Sequence, residues 1–241
     1  MRVINTIFFA LVLLVNFLAN YLPINGLTAK DVSDFYPSFF TPAPITFSIW
    51  GIIYLLVLSF VFYQLVAKSE KIDKITPYFI LSCIANILWI LSWHNLLIEL
   101  SVIFIIVLLY SLAKIMDILT EVNLDKREKM FLYIPFSIYL AWIIVATVAN
   151  ITILLVHWNW SGFGLSGYFW VALVLIITSV IGIWRSWHDK NIFYSFVFIW
   201  ALAGIYFANE VLLPIITVCI LLFLINNFYL FKKSNSSKNI F

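Results

Sequence analysis

Several stretches of this chain carry aromatic and amide side chains at helical spacing. Phe47, Trp50 and Tyr54 stand three and four residues apart, so on a helix they share one face. Asn86, Trp89 and Trp93 repeat that spacing, with His94 next in line. Tyr139, Trp142, Ala146 and Asn150 extend it to a fourth member, with Thr147 alongside. Asn5, Asn16 and Asn20 are eleven and four residues apart, about three turns and one turn, again a single face. Flat rings interleaved with a few amides suit a planar, greasy ligand that has some polar edge. They also suit plain helix packing. Trp93, Trp158, Trp160, Trp184 and Trp187 lie near the ends of apolar runs, where a membrane interface alone explains them.

Other chemistries find little support. There is no Gly-rich phosphate loop, no paired-carboxylate motif and no Cys/His spacing of a metal site. Catalytic and metal-ligating residues are therefore not expected. His94 and His157 fall at one edge of the apolar runs and His188 at the other, positions better suited to interfacial hydrogen bonding than to haem ligation. Lys114, three residues before Asp117, reads as a snorkelling lysine in a local pair. Glu99 and Glu210 lie at the rim. Cys83 and Cys219 sit inside apolar runs and predict buried thiols with no disulfide framework.

The elements that must position these faces are transmembrane helices. Crossing a hydrocarbon core of roughly 30 Å takes about 20 mostly apolar residues. Eight runs answer to that: Ile4–Leu22, Pro44–Val66, Ile75–Trp93, Leu100–Leu119, Phe131–Val156, Leu165–Trp184, Ile192–Phe207 and Val211–Phe231. Only Ala208, Asn209 and Glu210 separate the last two, which makes that pair a tight hairpin. With the N-terminus inside, every Lys and Arg but Lys30 falls on the inner side, as cytoplasmic retention of cations requires. An N-in/C-in, all-α bundle of eight spans follows. The first span carries Arg2 and an apolar core but no small-x-small cleavage site, so it reads as a helix and not a signal peptide. In this topology Asn16, Asn20, Phe47, Trp50, Tyr54, Asn86, Trp89, Trp142 and Asn150 all land in the outer half of the bilayer. The segment Pro23–Ala43, ending in Thr41-Pro42-Ala43-Pro44, would close the site from above. Residues after Phe231 form a short basic tail that reads as disordered.

Composition agrees. Of 241 residues, 64% are hydrophobic and 10% charged, and the mean hydropathy is +1.08. Soluble domains carry about 45–50% apolar and 25% charged residues, so a soluble enzyme and a disordered tail protein are excluded. A net charge of +3 argues against a nucleic-acid partner. The aromatic share of 19% is the surplus that the faces above account for in part.

The same residues carry a resemblance. Tyr139-x-x-Trp142-x-x-x-Ala146-Thr147-x-x-Asn150 resembles the last helix of the tryptophan-rich sensory protein/translocator protein (TspO/MBR) family. Thr41-Pro42-Ala43-Pro44-x-x-Phe47-x-x-Trp50-x-x-x-Tyr54 resembles that family's loop-to-second-helix signature, and Asn86-x-x-Trp89 its third-helix motif. The resemblance covers residues 1–156, a five-helix core, and leaves residues 157–231 as three additional helices before the tail at 232–241. Departures are specific. Phe40 stands where the family usually has a Trp, and a phenyl ring is much harder to oxidise than an indole. Ala43 replaces the second of two adjacent prolines, and the Phe47-to-Trp50 spacing is one residue short.

The resemblance implies binding of a porphyrin such as protoporphyrin IX or haem, or of a sterol-like or synthetic aromatic ligand. No cofactor is required. It also implies a homodimer, and in some bacterial members light-dependent porphyrin breakdown. The ligand-binding set is then Asn16, Asn20, Phe40, Phe47, Trp50, Tyr54, Asn86, Trp89, Tyr139, Trp142, Ala146 and Asn150. The expected function is a sensor or carrier of a planar apolar molecule in a membrane, a bacterial cytoplasmic one on this reading. The alternative is a transporter of an uncharged or apolar solute, with the extra helices completing its path. The lack of intramembrane charge in the sequence weighs against ion coupling. An enzyme acting on a lipid-soluble substrate ranks third, because no catalytic set is recognisable.

Overall fold

A computed structural model describes residues 2–238 apart from Pro23 and Lys68, and leaves out the side chains of Asn20, Ala29 and residues 233–238. The described residues form helices and no strands. In order these are α1 (Arg2–Tyr21), α2 (Ala29–Asp34), α3 (Ile49–Val66), α4 (Glu70–His94), α5 (Ile98–Glu121), α6 (Lys126–Glu128), α7 (Ile134–His157), α8 (Gly167–His188), α9 (Phe193–Ala208) and α10 (Leu213–Lys238). Setting aside the short α2 and α6, eight helices answer to the eight expected spans. Seven of the eight are long and apolar enough to cross a membrane. The eighth, α9, has 16 residues, about 24 Å at 1.5 Å per residue. That is short of the hydrocarbon core, so one expected span is only a partial match. The chain is a polytopic, all-helical membrane protein.

Helix ends shift for identifiable reasons. α4 begins at Glu70, well before the expected Ile75, with Pro77 inside it. One missing N–H costs a single backbone hydrogen bond and does not end a helix whose neighbours hold it. Pro44 opens a tight 3-10 turn, Pro44–Ser48, that precedes α3. α6 starts at a capping box between Asp125 and Glu128. A π-helical turn, Lys129–Tyr133, then joins it to α7, whose second residue is Pro135. Pro214 falls in the first turn of α10, where a missing N–H matters little. α10 continues helically to Lys238, where the sequence reading ends its span at Phe231 and expects disorder; residues 239–241 lie outside the described residues.

Two compact units make up the chain. The first comprises residues up to Ser38 together with Ser48–Trp160. In it α4 packs on α1 and α5, α7 on α5 and α3, and α1 on α3. α4 and the Lys126–His157 helix are the central pair, each with 56% of its most apolar window buried, against 28% for α1. Phe60, Phe79 and Phe136 meet edge to face at centroid distances of 5.0–5.9 Å and form the middle of this core. Glu128 binds the α4 end in place, accepting from Ser69 Oγ at 2.9 Å and from Lys71 Nζ.

The second unit comprises Phe39–Phe47 and everything from Ser161. α8, α9 and α10 pack pairwise, with Phe198 stacked on Phe223 at 5.2 Å. Glycine is required twice by close approach. A Cβ on Gly182 would stand 2.7 Å from Phe198 Cζ, and one on Gly204 would stand 2.0 Å from Thr46 Oγ1. The second of these lets the 39–47 segment lie directly on α9. There Ala43 N donates to Gly204 O at 2.9 Å, Trp200 Nε1 to Thr46 O at 3.0 Å, and Asn209 Nδ2 to Phe39 O at 3.1 Å. The expected cap Pro23–Ala43 is therefore divided between the units. Its part up to Ser38 belongs to the first and Phe39 onward to the second; Pro23 lies outside the described residues.

Candidate functional site

Trp50, the second residue of α3, is the hub of the aromatic side chains in the first unit. Its ring stacks on Tyr54 at 5.5 Å and tilts against Trp89 of α4 at 5.6 Å. It meets Tyr139 and Trp142 of α7 edge-on at 6.1 and 6.2 Å. Three helices thus supply five rings to one cluster, because +3 and +4 spacing puts each set on the side facing its neighbours. Trp89, Tyr139 and Trp142 are buried, and Trp50 and Tyr54 are half-buried.

Two hydrogen-bond chains frame the rings. In the first, Tyr54 Oη donates to Asn16 Oδ1 at 2.7 Å, Asn16 Nδ2 to Asn86 Oδ1 at 2.9 Å, and Asn86 Nδ2 to Tyr139 Oη at 3.0 Å. Four helices are tied together by neutral groups alone. In the second, Trp89 Nε1 donates to Asn150 Oδ1 at 2.9 Å, and Asn150 Nδ2 to Ser101 Oγ of α5 at 2.9 Å. Buried amides are costly in an apolar interior unless paired, and here Asn16, Asn86 and Asn150 are all engaged.

Asn16, Trp50, Tyr54, Asn86, Trp89, Tyr139, Trp142 and Asn150 come together as described. Ala146 is half-buried one turn from Trp142 on α7. Asn20 falls in the last turn of α1, and its side chain lies outside the described residues. Phe40 and Phe47 belong to the 39–47 segment of the second unit. A small cavity on the Cys83 side of the cluster, lined among others by Tyr54, Tyr139 and Phe79, measures about 10 Å³, at the lower limit for one water. The five rings themselves are in contact about Trp50.

The rims differ from expectation too. Trp93 is buried against Val32, Ile98 and Ile153, and so leaves the interfacial set, whereas Trp158, Trp184 and Trp187 are more than half exposed. The short α2, held by a Thr28/Asp31 capping box, delivers Val32 to that cluster. The Thr28 hydroxyl and backbone N–H hold the Asp31 carboxyl below its ordinary range. Burial, with the charge of Glu99 next, pushes the Tyr36 phenol up. Tyr36 meets His157 edge-on at 5.5 Å, and Glu99 accepts from Trp158 Nε1 at 2.9 Å. His94 is fully buried, with Nδ1 2.8 Å from Ile90 O. Among the described residues no group of three potential metal ligands exists, and both cysteines are buried free thiols.

Two further polar groups are buried, the first of them on Asn5 of the amide face named above. Asn5 Nδ2 donates to Gln64 Oε1 at 2.8 Å and to Thr76 Oγ1 at 3.1 Å, while Asn5 Oδ1 and Gln64 Nε2 are buried without a protein partner. In the second unit Arg185 Nε donates to Asp189 Oδ2 at 2.9 Å, and Tyr194 Oη to the same oxygen at 2.6 Å. The i, i+4 spacing of Arg185 and Asp189 was a readable signal. The expected span ends at Trp184, but Arg185 lies in α8 and both side chains are buried.

No curated protein and no solved structure matches the chain. A family model does match, over residues 2–231, so the correspondence expected to stop at 156 takes in the three C-terminal helices as well. With three motifs brought onto facing helices and a match along nearly the whole length, the chain belongs to the TSPO-like protein family.

Proposed function

We propose that this protein binds a planar apolar molecule, of the porphyrin or sterol-like class, at the Trp50-centred cluster of its first unit. The observation that carries this reading is the gathering of five rings from α3, α4 and α7 about Trp50, with amides from α1, α4 and α7 at their edges. Such a surface offers π faces for stacking and directional groups for a polar rim. Because Trp50 is in ring contact with Tyr54, Trp89, Tyr139 and Trp142 at 5.5–6.2 Å, a ligand that stacks within the cluster parts these rings. Ring–ring contacts worth about 0.5–1.5 kcal/mol each are then exchanged for ring–ligand contacts of the same kind. The five rings include no imidazole, which favours a metal-free porphyrin over one that needs an axial histidine.

Protoporphyrin IX titrated into the purified full-length protein is the direct test. Saturable quenching of tryptophan fluorescence is expected, with the apparent affinity weakened at least tenfold in Trp142→Ala and Asn150→Ala. Trp187→Phe, in the second unit, serves as the control for loss of an indole. Unchanged affinity in both site variants, with melting behaviour intact, would remove the assignment. Carriage of an uncharged solute is the second reading, favoured by the uniformly neutral hydrogen-bond chain from Tyr54 to Tyr139. Saturable flux of such a solute into liposomes, without porphyrin binding, would select it.

A further inference from the structure

A feature that the aromatic cluster leaves unexplained is a groove of about 410 Å³ between α8 and α10 in the second unit. Ile176, Val180 and Ile183 wall one side and Ile215, Val218 and Leu222 the other; Ser179 contributes the one hydroxyl group of the lining. Val180 and Val218 are 60% and 57% exposed, so the groove is open along its length. In a membrane-spanning helix pair the medium outside is hydrocarbon, not water.

Position along the helices gives the occupant a direction. Ile176 to Ile183 and Ile215 to Leu222 are each seven residues, about 10 Å at 1.5 Å per residue. That is roughly two thirds of one leaflet of a 30 Å hydrocarbon core. Continuing along the same faces, Trp187 follows Ile183 by four residues and Tyr229 follows Leu222 by seven. Their rings stack at 5.2 Å and 14°, and both are about half exposed. Trp and Tyr take such positions at the headgroup level. Each ring is followed by a cation in the chain. Lys190 follows on the turn whose backbone N donates to Trp187 O at 3.2 Å, and exposed Lys232 lies one turn past Tyr229 on α10. The Asp189 carboxylate is buried and engaged by Arg185, Tyr194 and His188, so it does not oppose an anion there.

We infer that the α8/α10 groove holds one acyl chain of an anionic phospholipid, with the headgroup phosphate held at the Trp187–Tyr229 stack by Lys190 and Lys232. The volume suits a single tail and not a whole lipid. The site is independent of the ligand proposed for the first unit.

Native mass spectrometry of the full-length protein, titrated with phosphatidylglycerol or phosphatidylcholine of identical tails, tests this. One tightly retained phosphatidylglycerol per chain is expected, with phosphatidylcholine several-fold weaker. Val218→Trp, which fills the groove from an exposed position, should lower retention at least tenfold. Leu221→Trp, on an exposed position outside the lining, should not. Lys190→Gln with Lys232→Gln should bring the two lipids to equal retention. Unaltered retention in Val218→Trp would overturn the proposal. So would a dimer that displaces the lipid and is itself lost in Val218→Trp, because the groove would then belong to a second copy of the chain.

Discussion

The indole N–H of Trp89 donates to Oδ1 of Asn150 at 2.9 Å, joining α4 to α7 across the aromatic cluster. Asn150 passes the connection on to Ser101 of α5, so one amide serves three helices. Replacing it leaves the buried Trp89 N–H without its partner, while Ser101 Oγ keeps its bond to Ile98 O at 2.7 Å; an orphaned buried donor costs more than the bond itself contributes.

Asn150→Leu should therefore destabilise the protein by about 1–3 kcal/mol. Trp89→Phe should cost less in the Asn150→Leu background than alone, because its partner is already gone. Thermal unfolding of both single variants and the double variant in detergent measures the coupling. Strict additivity would show that the contact is energetically idle.

Gly204→Ala should dislodge the 39–47 segment from α9. The added carbon would stand 2.0 Å from Thr46 Oγ1 and 2.8 Å from Thr46 Cβ, and overpacking of this kind costs about 1–3 kcal/mol. Proteolysis within residues 38–48 should accelerate in the variant. Thr46→Gly should restore part of the protection by removing the obstructing atoms.

The Arg185–Asp189 pair predicts an asymmetric mutational pattern. Removing either side chain alone leaves a buried charge, at a cost of about 3–5 kcal/mol. Removing both as Arg185→Met with Asp189→Leu should cost clearly less than the sum of the two. Melting temperatures of the three variants distinguish this from an idle pair, for which the effects would simply add.

Asp31 sets a pH dependence at the outer rim. Its carboxyl is held below the ordinary value by Thr28, so the folded form binds its proton less readily than the unfolded chain does. The capping contribution is present above the unfolded value and is lost as pH falls through the lower folded one. Protection of the Ala29–Asp34 amides, measured against the intrinsic exchange rate at each pH, should fall as acid is added below about pH 4. Asp31→Asn should remove that dependence.

Much of the fold was legible in the sequence, because a bilayer imposes a length and a polarity that few other environments do. Eight apolar runs became eight helices. The short seventh span was itself visible in the sequence: Ile192–Phe207 and α9, Phe193–Ala208, are both 16 residues long, and the break at Asn209 is followed by a 3-10 turn at Glu210–Leu212. The motif spacing also carried through, since +3 and +4 steps on α3, α4 and α7 dictate which residues share a face whatever surrounds them.

Contacts between distant segments were a different matter. Whether facing rings enclose space or fill it depends on helix separations that no local pattern encodes, and here Trp50, Trp89 and Trp142 close on one another. That Phe40 and Phe47 join the second unit follows from Gly204 lacking a side chain some 160 residues away in the chain. Arg185 and Asp189 fall past the expected end of a span at Trp184, and it is Tyr194 and the last turn of α8 that bury them together. Hydropathy and period decided that this chain is a membrane helical bundle with amphipathic aromatic faces. The tertiary structure alone decided which faces meet, because packing is settled by the shape of both partners and the sequence lays out each partner separately.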